Sequence, residues 1–262
     1  MGLEPGWCVV LGASSGFGAA ASRAFARAGL DVCGVHLDRK ATQPLAEAVA
    51  SDVEKTGRRA LFSNANAADP EKRAAIVASL REAIGSGPRV RVLLHSLAFG
   101  TLLPLVARSG RAVSAAQMSM TLEVMATSLV DWTQALFAAG LLERGGRVFA
   151  MTSEGGRRVW PAYGPVSAAK SALEGIVRQL AVELAEEEIT VNAICAGVTD
   201  TPAAQKIPGF ETMVERVRER HPRGRLTTTE DVAGSLVALS APACGWITGN
   251  VIHVDGGEAL VA

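Results

Sequence analysis

The chain has 262 residues, 48% of them hydrophobic, enough for a large core in one α/β domain or two small ones. Lys plus Arg number 26 and Asp plus Glu number 26, so the formal charge balances and a nucleic acid is excluded as the main partner, because such binding rests on phosphate neutralisation. Four scattered cysteines (Cys8, Cys33, Cys195, Cys244) form no CxxC or Cys/His cluster, so neither a metal site nor a disulfide frame is expected, and Cys8, Cys33 and Cys195, in apolar runs, read as buried thiols of a reducing compartment.

The first predicted strand, 7–11, begins at Trp7, so no secretion signal is expected. Gly12, Gly16 and Gly18 then make a turn into a predicted helix over 16–28, with Phe17, Ala20, Ala24, Phe25 and Ala28 at helical spacing. Glycines at a first β–α junction let backbone amides and a helix N-terminus approach a pyrophosphate. A strand over 32–37 ends in His36, Leu37, Asp38, Arg39 and Lys40. A carboxylate there suits the ribose hydroxyls of NAD, whereas basic groups suit the 2′-phosphate of NADP; His36 stands where an NAD-selecting acid often stands, and the reading leans to NADPH. Asn66, after a strand over 60–62, is either an adenine contact or an ordinary loop residue.

A strand over 90–94 runs into His95, Ser96, Leu97 and Ala98. His95 reads as a satisfied group at a strand end more than as a proton relay, and Met118, Met120 and Met125 as core. Ser153 follows a strand over 147–151. The only tyrosine, Tyr163, precedes Lys170 at Tyr-x6-Lys spacing, and Pro165 suits a first helical position, so Tyr163 is expected just before a helix over 165–186. Val166, Leu173, Ile176, Val177, Leu180 and Leu184 mark that helix's apolar face. Strands over 189–195 and 250–254 flank the segment 199–225, which holds Pro202, Pro208 and Pro222 and a short charged helix around Glu211 to Arg220. It reads as an insertion at the carboxyl edge of the sheet, a substrate lid. Alternating β and α predict a single-domain α/β doubly wound Rossmann fold over 1–262, a seven-stranded parallel sheet with helices on both faces. No apolar run approaches the roughly 20 residues of a membrane span, and a cytoplasmic location is expected.

A phenol titrates near pH ~10 and needs a nearby cation to give up a proton near neutrality. Lys170 is the expected cation, and Ser153 is placed to hydrogen-bond a substrate carbonyl. With Ser153, Tyr163 and Lys170 after a glycine cradle, the chain resembles the short-chain dehydrogenase/reductase family over nearly its whole length. Val191-Asn-Ala193 leading to Gly197, Gly224-Arg-Leu226, Glu230-Asp-Val-Ala233, Thr248-Gly-Asn250 and Val254-Asp-Gly-Gly257 carry the same resemblance.

Four departures are similar to the enoyl-acyl-carrier-protein reductase branch. They are Tyr-x6-Lys with Val166 at the commoner tyrosine place, His95-Ser-Leu-Ala98, Met125 in place of a helix asparagine, and Ala196-Gly197. Thr201 to Pro208 and Pro222-x-Gly-Arg225 look closest to its NADPH-using members. The spacing has a physical rationale. In an enoyl thioester the hydride-accepting carbon is two carbons farther from the oxygen than in a ketone, and seven helical residues advance ~10.5 Å where four advance ~6 Å.

The resemblance implies an NADPH-dependent reductase of the C2–C3 double bond of trans-2-enoyl thioesters, carried by acyl-carrier protein, and a homotetramer. It implies catalysis by Tyr163, Lys170 and Ser153. The implied cofactor site is Gly12, Ser14, Ser15, Gly16, Phe17, Gly18, Arg39, Asn66, Ser96, Ala98, Lys170, Gly197, Val198 and Thr201. Arg216, Arg218, Arg220, Arg223 and Arg225 form either a patch for an acidic carrier or, interleaved with Glu211, Glu215 and Glu219, a solvated face. Two rivals stay open: a 3-ketoacyl or other carbonyl reductase of the same family, and a non-catalytic dinucleotide sensor.

Overall fold

A computed structural model describes residues 2–261. Seven strands form one parallel sheet in the order β3-β2-β1-β4-β5-β6-β7: β1 Gly6–Leu11, β2 Leu30–His36, β3 Ala60–Asn64, β4 Val90–His95, β5 Leu142–Ser153, β6 Thr190–Ala196 and β7 Val251–Val254. The helices are α1 Gly16–Arg27, α2 Gln43–Glu54, α3 Pro70–Ile84, α4 Ala115–Leu122, α5 Ser128–Ala138, α6 Gly164–Glu183, α7 Phe210–Arg220 and α8 Thr229–Leu239.

Alternate residues of each strand feed opposite cores. Trp7, Val9 and Leu11 of β1, with Val148 and Ala150 of β5, pack beneath α3, α5 and α6. Cys8, Val10, Phe149 and Met151 face Ala21 and Phe25 of α1 and Val232 and Leu236 of α8. Strands buried on both faces therefore read as unbroken apolar runs. Cys8, Cys33 and Cys195 are buried, as expected of the apolar runs that hold them.

Helix α6 starts at Gly164 with Pro165 in its first turn and Tyr163 as N-cap. Its predicted apolar face is buried at Val166, Leu173, Val177 and Leu180, and Ile176 packs at the edge. Strand β5 begins five residues before the predicted start. Val90 pairs with Leu142 but Val92 with Arg147, and the bulge holds Gly145 and Gly146, which broke the apolar run. Between β6 and α8 the chain forms a 3₁₀ turn, Ala204–Lys206, and α7. None of the described helices is long and apolar enough to cross a membrane.

The strand order reverses between β1 and β4. At such a switch point the loops leaving the two carboxyl ends part and leave a crevice.

Candidate active site

The crevice opens beside the glycine turn. Gly12 has φ +90°, and a Cβ there would strike the carbonyl of Ser96; a Cβ on Gly18 would strike the carbonyl of Gly12. Only glycine lets the two loops close this tightly. Ser15, the N-cap of α1, makes no side-chain cap bond, and the helix N-terminus faces the crevice through Phe17. This uncapped, glycine-lined turn fits a dinucleotide pyrophosphate.

At the end of β2, Nδ1 of His36 lies 2.8 Å from Oδ2 of Asp38. The Asp38 backbone is clamped by Asn64, whose Oδ1 accepts from its amide and whose Nδ2 donates to its carbonyl. Burial alone would raise the Asp38 carboxyl, but hydrogen bonds from Thr42, Ser14 and His36 outweigh it and hold it below the usual range. A fixed anion thus stands at the end of β2, next to Ser14 of the glycine turn. Arg39 and Lys40 are exposed. Asn66 spends its side-chain oxygen on the amide of Ala68, within its own turn.

A cavity of about 550 Å³ at the crevice brings together Phe17, Ser96, Ala98, Ser153, Tyr163, Lys170, Gly197, Val198 and Thr201 from the sequence-predicted site. Gly12 abuts it through Ser96 and Gly16 through Thr201, whose Cγ2 is 3.5 Å from where a Gly16 Cβ would lie. Met125 belongs to the buried core and also lines the cavity, on a π-helical turn, Glu123–Thr127, between α4 and α5. Met118 and Met120 are half-buried.

The Tyr163 hydroxyl lies 3.3 Å from the Ser153 hydroxyl. Burial raises the phenol's pKa above its ordinary value, and the Ser153 contact only partly offsets that. The expected depression of this phenol by Lys170 is not found. The Lys170 ammonium is buried and donates to the Met151 carbonyl at 2.6 Å, deeper in the sheet. Desolvation lowers Lys170 to about 8, against the pull of Cys195 and Glu174. The phenol is therefore a protonated donor beside a buried cation.

Two features that the sequence reading passed over position this phenol. A Cβ on Gly155 would run into Cε1 of the Tyr163 ring. Ala162 has φ +61°, a left-handed conformation that a side chain disfavours, and the turn is closed by the Tyr163 amide on the Trp160 carbonyl. The Gly155-Gly156 pair, one residue beyond Ser153, was the available signal for the first; nothing local announces the second.

His95 is fully buried. Its Nε2 meets the Ser128 hydroxyl at 2.8 Å, and that hydroxyl donates to the Val124 carbonyl. Desolvation, then the Lys170 charge, lowers its pKa to about 3, so it stays neutral at ordinary pH.

The model of the family described as Enoyl-(Acyl carrier protein) reductase matches residues 12–258. The chain belongs to the short-chain dehydrogenase/reductase family, in its enoyl-reductase-like branch. It is an NAD(P)H-dependent short-chain reductase, and its Rossmann sheet is the scaffold of that chemistry.

Among its relatives, the enoyl-[acyl-carrier-protein] reductase [NADH] of Rickettsia felis is 31% identical, over 85% of this chain and 80% of that protein. A (2S)-[(R)-hydroxy(phenyl)methyl]succinyl-CoA dehydrogenase subunit of Thauera aromatica is 28% identical over the whole of both chains. The solved enoyl-[acyl-carrier-protein] reductase (NADH) of Aquifex aeolicus superposes with a TM-score of 0.83 at 25% identity, over 97% of this chain and 96% of that one.

These relatives correct one expectation. The lean to NADPH fails, because the enoyl-acyl-carrier-protein reductases of Nostoc, Aquifex, Rickettsia and Bacillus that resemble this short-chain reductase are named for NADH. Arg39 and Lys40 are exposed, while Asp38 is fixed by its neighbours.

The far wall of the cavity comes from the segment after β6. Ile207, Phe210, Met213 and Val217 present an apolar surface to it. The indole of Trp160 donates to the Pro208 carbonyl at 2.7 Å, and Nε2 of His221 donates to the Asp255 carbonyl at 2.8 Å. These two bonds pin α7 on both sides. Arg216 and Arg220 line the cavity, but Arg225 is spent on a two-pronged pair with Asp231.

Proposed function

We propose that the protein reduces the C2–C3 double bond of trans-2-enoyl thioesters, with NADH as donor. The observation that carries this reading is the protonated phenol of Tyr163, the N-cap of α6, at Tyr-x6-Lys spacing from a buried Lys170. Bound NADH supplies the hydride. Gly12, Ser14, Ser15, Gly16, Phe17 and Gly18 hold the pyrophosphate, and Asp38 accepts from the ribose hydroxyls. Ser96, Ala98, Gly197, Val198 and Thr201 line the nicotinamide end, and Asn66 borders the adenine end.

Tyr163 donates a hydrogen bond to the thioester oxygen and stabilises the negative charge that develops there. Ser153 fixes the direction of that phenol. Lys170 keeps the local field positive from beneath. Segment 199–225 acts as a substrate lid, whose apolar side chains cover the acyl group and exclude water. Arg216 and Arg220 at its rim suit the phosphate of an acyl carrier. Acyl-carrier protein is the assigned carrier, a homotetramer the assigned assembly, and the cytoplasm the assigned location.

The similarity to a coenzyme A thioester dehydrogenase along the full chain favours one second reading, reduction of a 3-ketoacyl thioester. NADH oxidation with a crotonyl thioester, run beside an acetoacetyl thioester, separates the two. Turnover with the enoyl compound alone is expected; turnover with the ketone alone would overturn the assignment. Tyr163→Phe is expected to slow enoyl reduction at least about 100-fold while NADH affinity, read by fluorescence titration, stays unchanged.

A further inference from the structure

Three side chains that lie far apart in sequence meet at the carboxyl ends of β5, β6 and β7. Oε1 of Glu154, Sγ of Cys195 and Nδ1 of His253 all lie within 4.8 Å of one another. The Cys195 thiol donates to Glu154 Oε1 at 3.6 Å, and His253 Nδ1 is 3.4 Å from that same oxygen. The sheet register enforces the meeting. Cys195 pairs with His253 and with Thr152, so both ligands stand on one face, and Glu154 follows the last residue of β5 on that side.

We infer that Glu154, Cys195 and His253 form a binding site for a thiophilic divalent cation of the Zn²⁺ type. Ligands at roughly 2.0–2.3 Å in a tetrahedron stand roughly 3.3–3.7 Å apart, which two of the separations already satisfy. His253 is one third exposed and can swing to close the third. A thiolate and an imidazole select a borderline ion over Mg²⁺ or Ca²⁺, which take oxygen ligands.

The surroundings favour a cation. The carboxylates of Glu154 and Asp255 stand beside the sulfur and the imidazole, and their negative field attracts a cation. An ion entering there takes the sulfur lone pair as the S–H bond breaks, and the proton leaves to solvent. The second oxygen of Glu154, Oε2, is held by Arg158 at 3.2 Å, so the carboxylate can ligate through one oxygen while the guanidinium orients the other. Asp255 Oδ2, 3.8 Å from His253 Nδ1, adjoins the fourth position, which otherwise takes water. The site does not depend on which thioester the pocket reduces.

The test is a titration of the metal-free full-length protein with Co²⁺. A thiolate-to-cobalt charge-transfer band in the near ultraviolet, saturating at one ion per chain with release of one proton and lost on adding Zn²⁺, is expected. Cys195→Ser should abolish the band, and His253→Gln should weaken Co²⁺ binding at least about tenfold. His253 lies at the sheet edge, so its replacement leaves the core intact. Cys244→Ser should change nothing. Absence of the band, or its persistence in Cys195→Ser, would overturn the site, as would unchanged affinity in His253→Gln.

Discussion

Gly155 shows how much of this site rests on an atom that is absent. Its hydrogen faces the Tyr163 ring, and a methyl group in its place would overlap the ring. Gly155→Ala is therefore expected to lower kcat at least about tenfold by shifting the phenol, since small misplacements of a reacting group are costly. A circular-dichroism spectrum would check that the fold survives, and wild-type turnover in the variant would remove the steric argument. Lys170 makes a second residue-scale prediction. Burial lowers it to about 8 from 10.5, whereas the Tyr163 phenol is pushed up from 10, so an alkaline loss of activity near pH 8 belongs to the lysine. The unfolded chain binds more protons than the folded one between about 8 and 10.5, so this group makes stability rise with pH across that window while activity falls. The kcat/KM profile of Lys170→Arg should lose the limb near 8; a limb that stays would assign it elsewhere. The sequence put Tyr163, Lys170 and Ser153 in one site, but it placed the lysine's charge on the phenol, and the fold spends it on the Met151 carbonyl.

Among the elements, the 3₁₀ turn Glu258–Leu260 after β7 reaches into the cavity. Oε2 of Glu258 accepts from the Val198 amide at 2.9 Å, and burial raises that carboxyl. Val198 is assigned above to the nicotinamide end, so the carboxylate competes for the same donor. Removing one such charged acceptor in Glu258→Ala should tighten NADH binding by about three- to tenfold in a fluorescence titration. Weaker binding would mean that Glu258 helps to hold the cofactor. Nothing in the run Val254 to Gly257 foretold this contact, because it is made with a loop 60 residues away. The helices were more legible. Pro165 set the start of α6 and the apolar stripe gave its buried face, since both signals are local. β5 was misread where Gly145 and Gly146 interrupt the run, because the pairing of Val90 with Leu142 is a tertiary fact.

Across the whole molecule, the catalytic helix and the core are one object. Leu173 lies on α6, fully buried in the larger cluster, one turn beyond Lys170. Leu173→Ala should cost about 2–5 kcal/mol in urea denaturation, and a loss below about 1 kcal/mol would mean that the helix is held otherwise. By itself the sequence determined the alternation of strands and helices, the glycine turn, the family, and the three side chains, Ser153, Tyr163 and Lys170, that the fold gathers in one cavity. Each of these is written in short-range spacing or in motifs whose order along the chain is enough. The tertiary structure alone decided that Asp38 is fixed at the cradle while its basic neighbours stay exposed, that Gly155 shapes the phenol's position, and that Glu258 caps Val198. It also brought Glu154, Cys195 and His253 together. Those juxtapositions come from parallel strands whose ends share one edge, so residues distant in sequence become neighbours that no local pattern records.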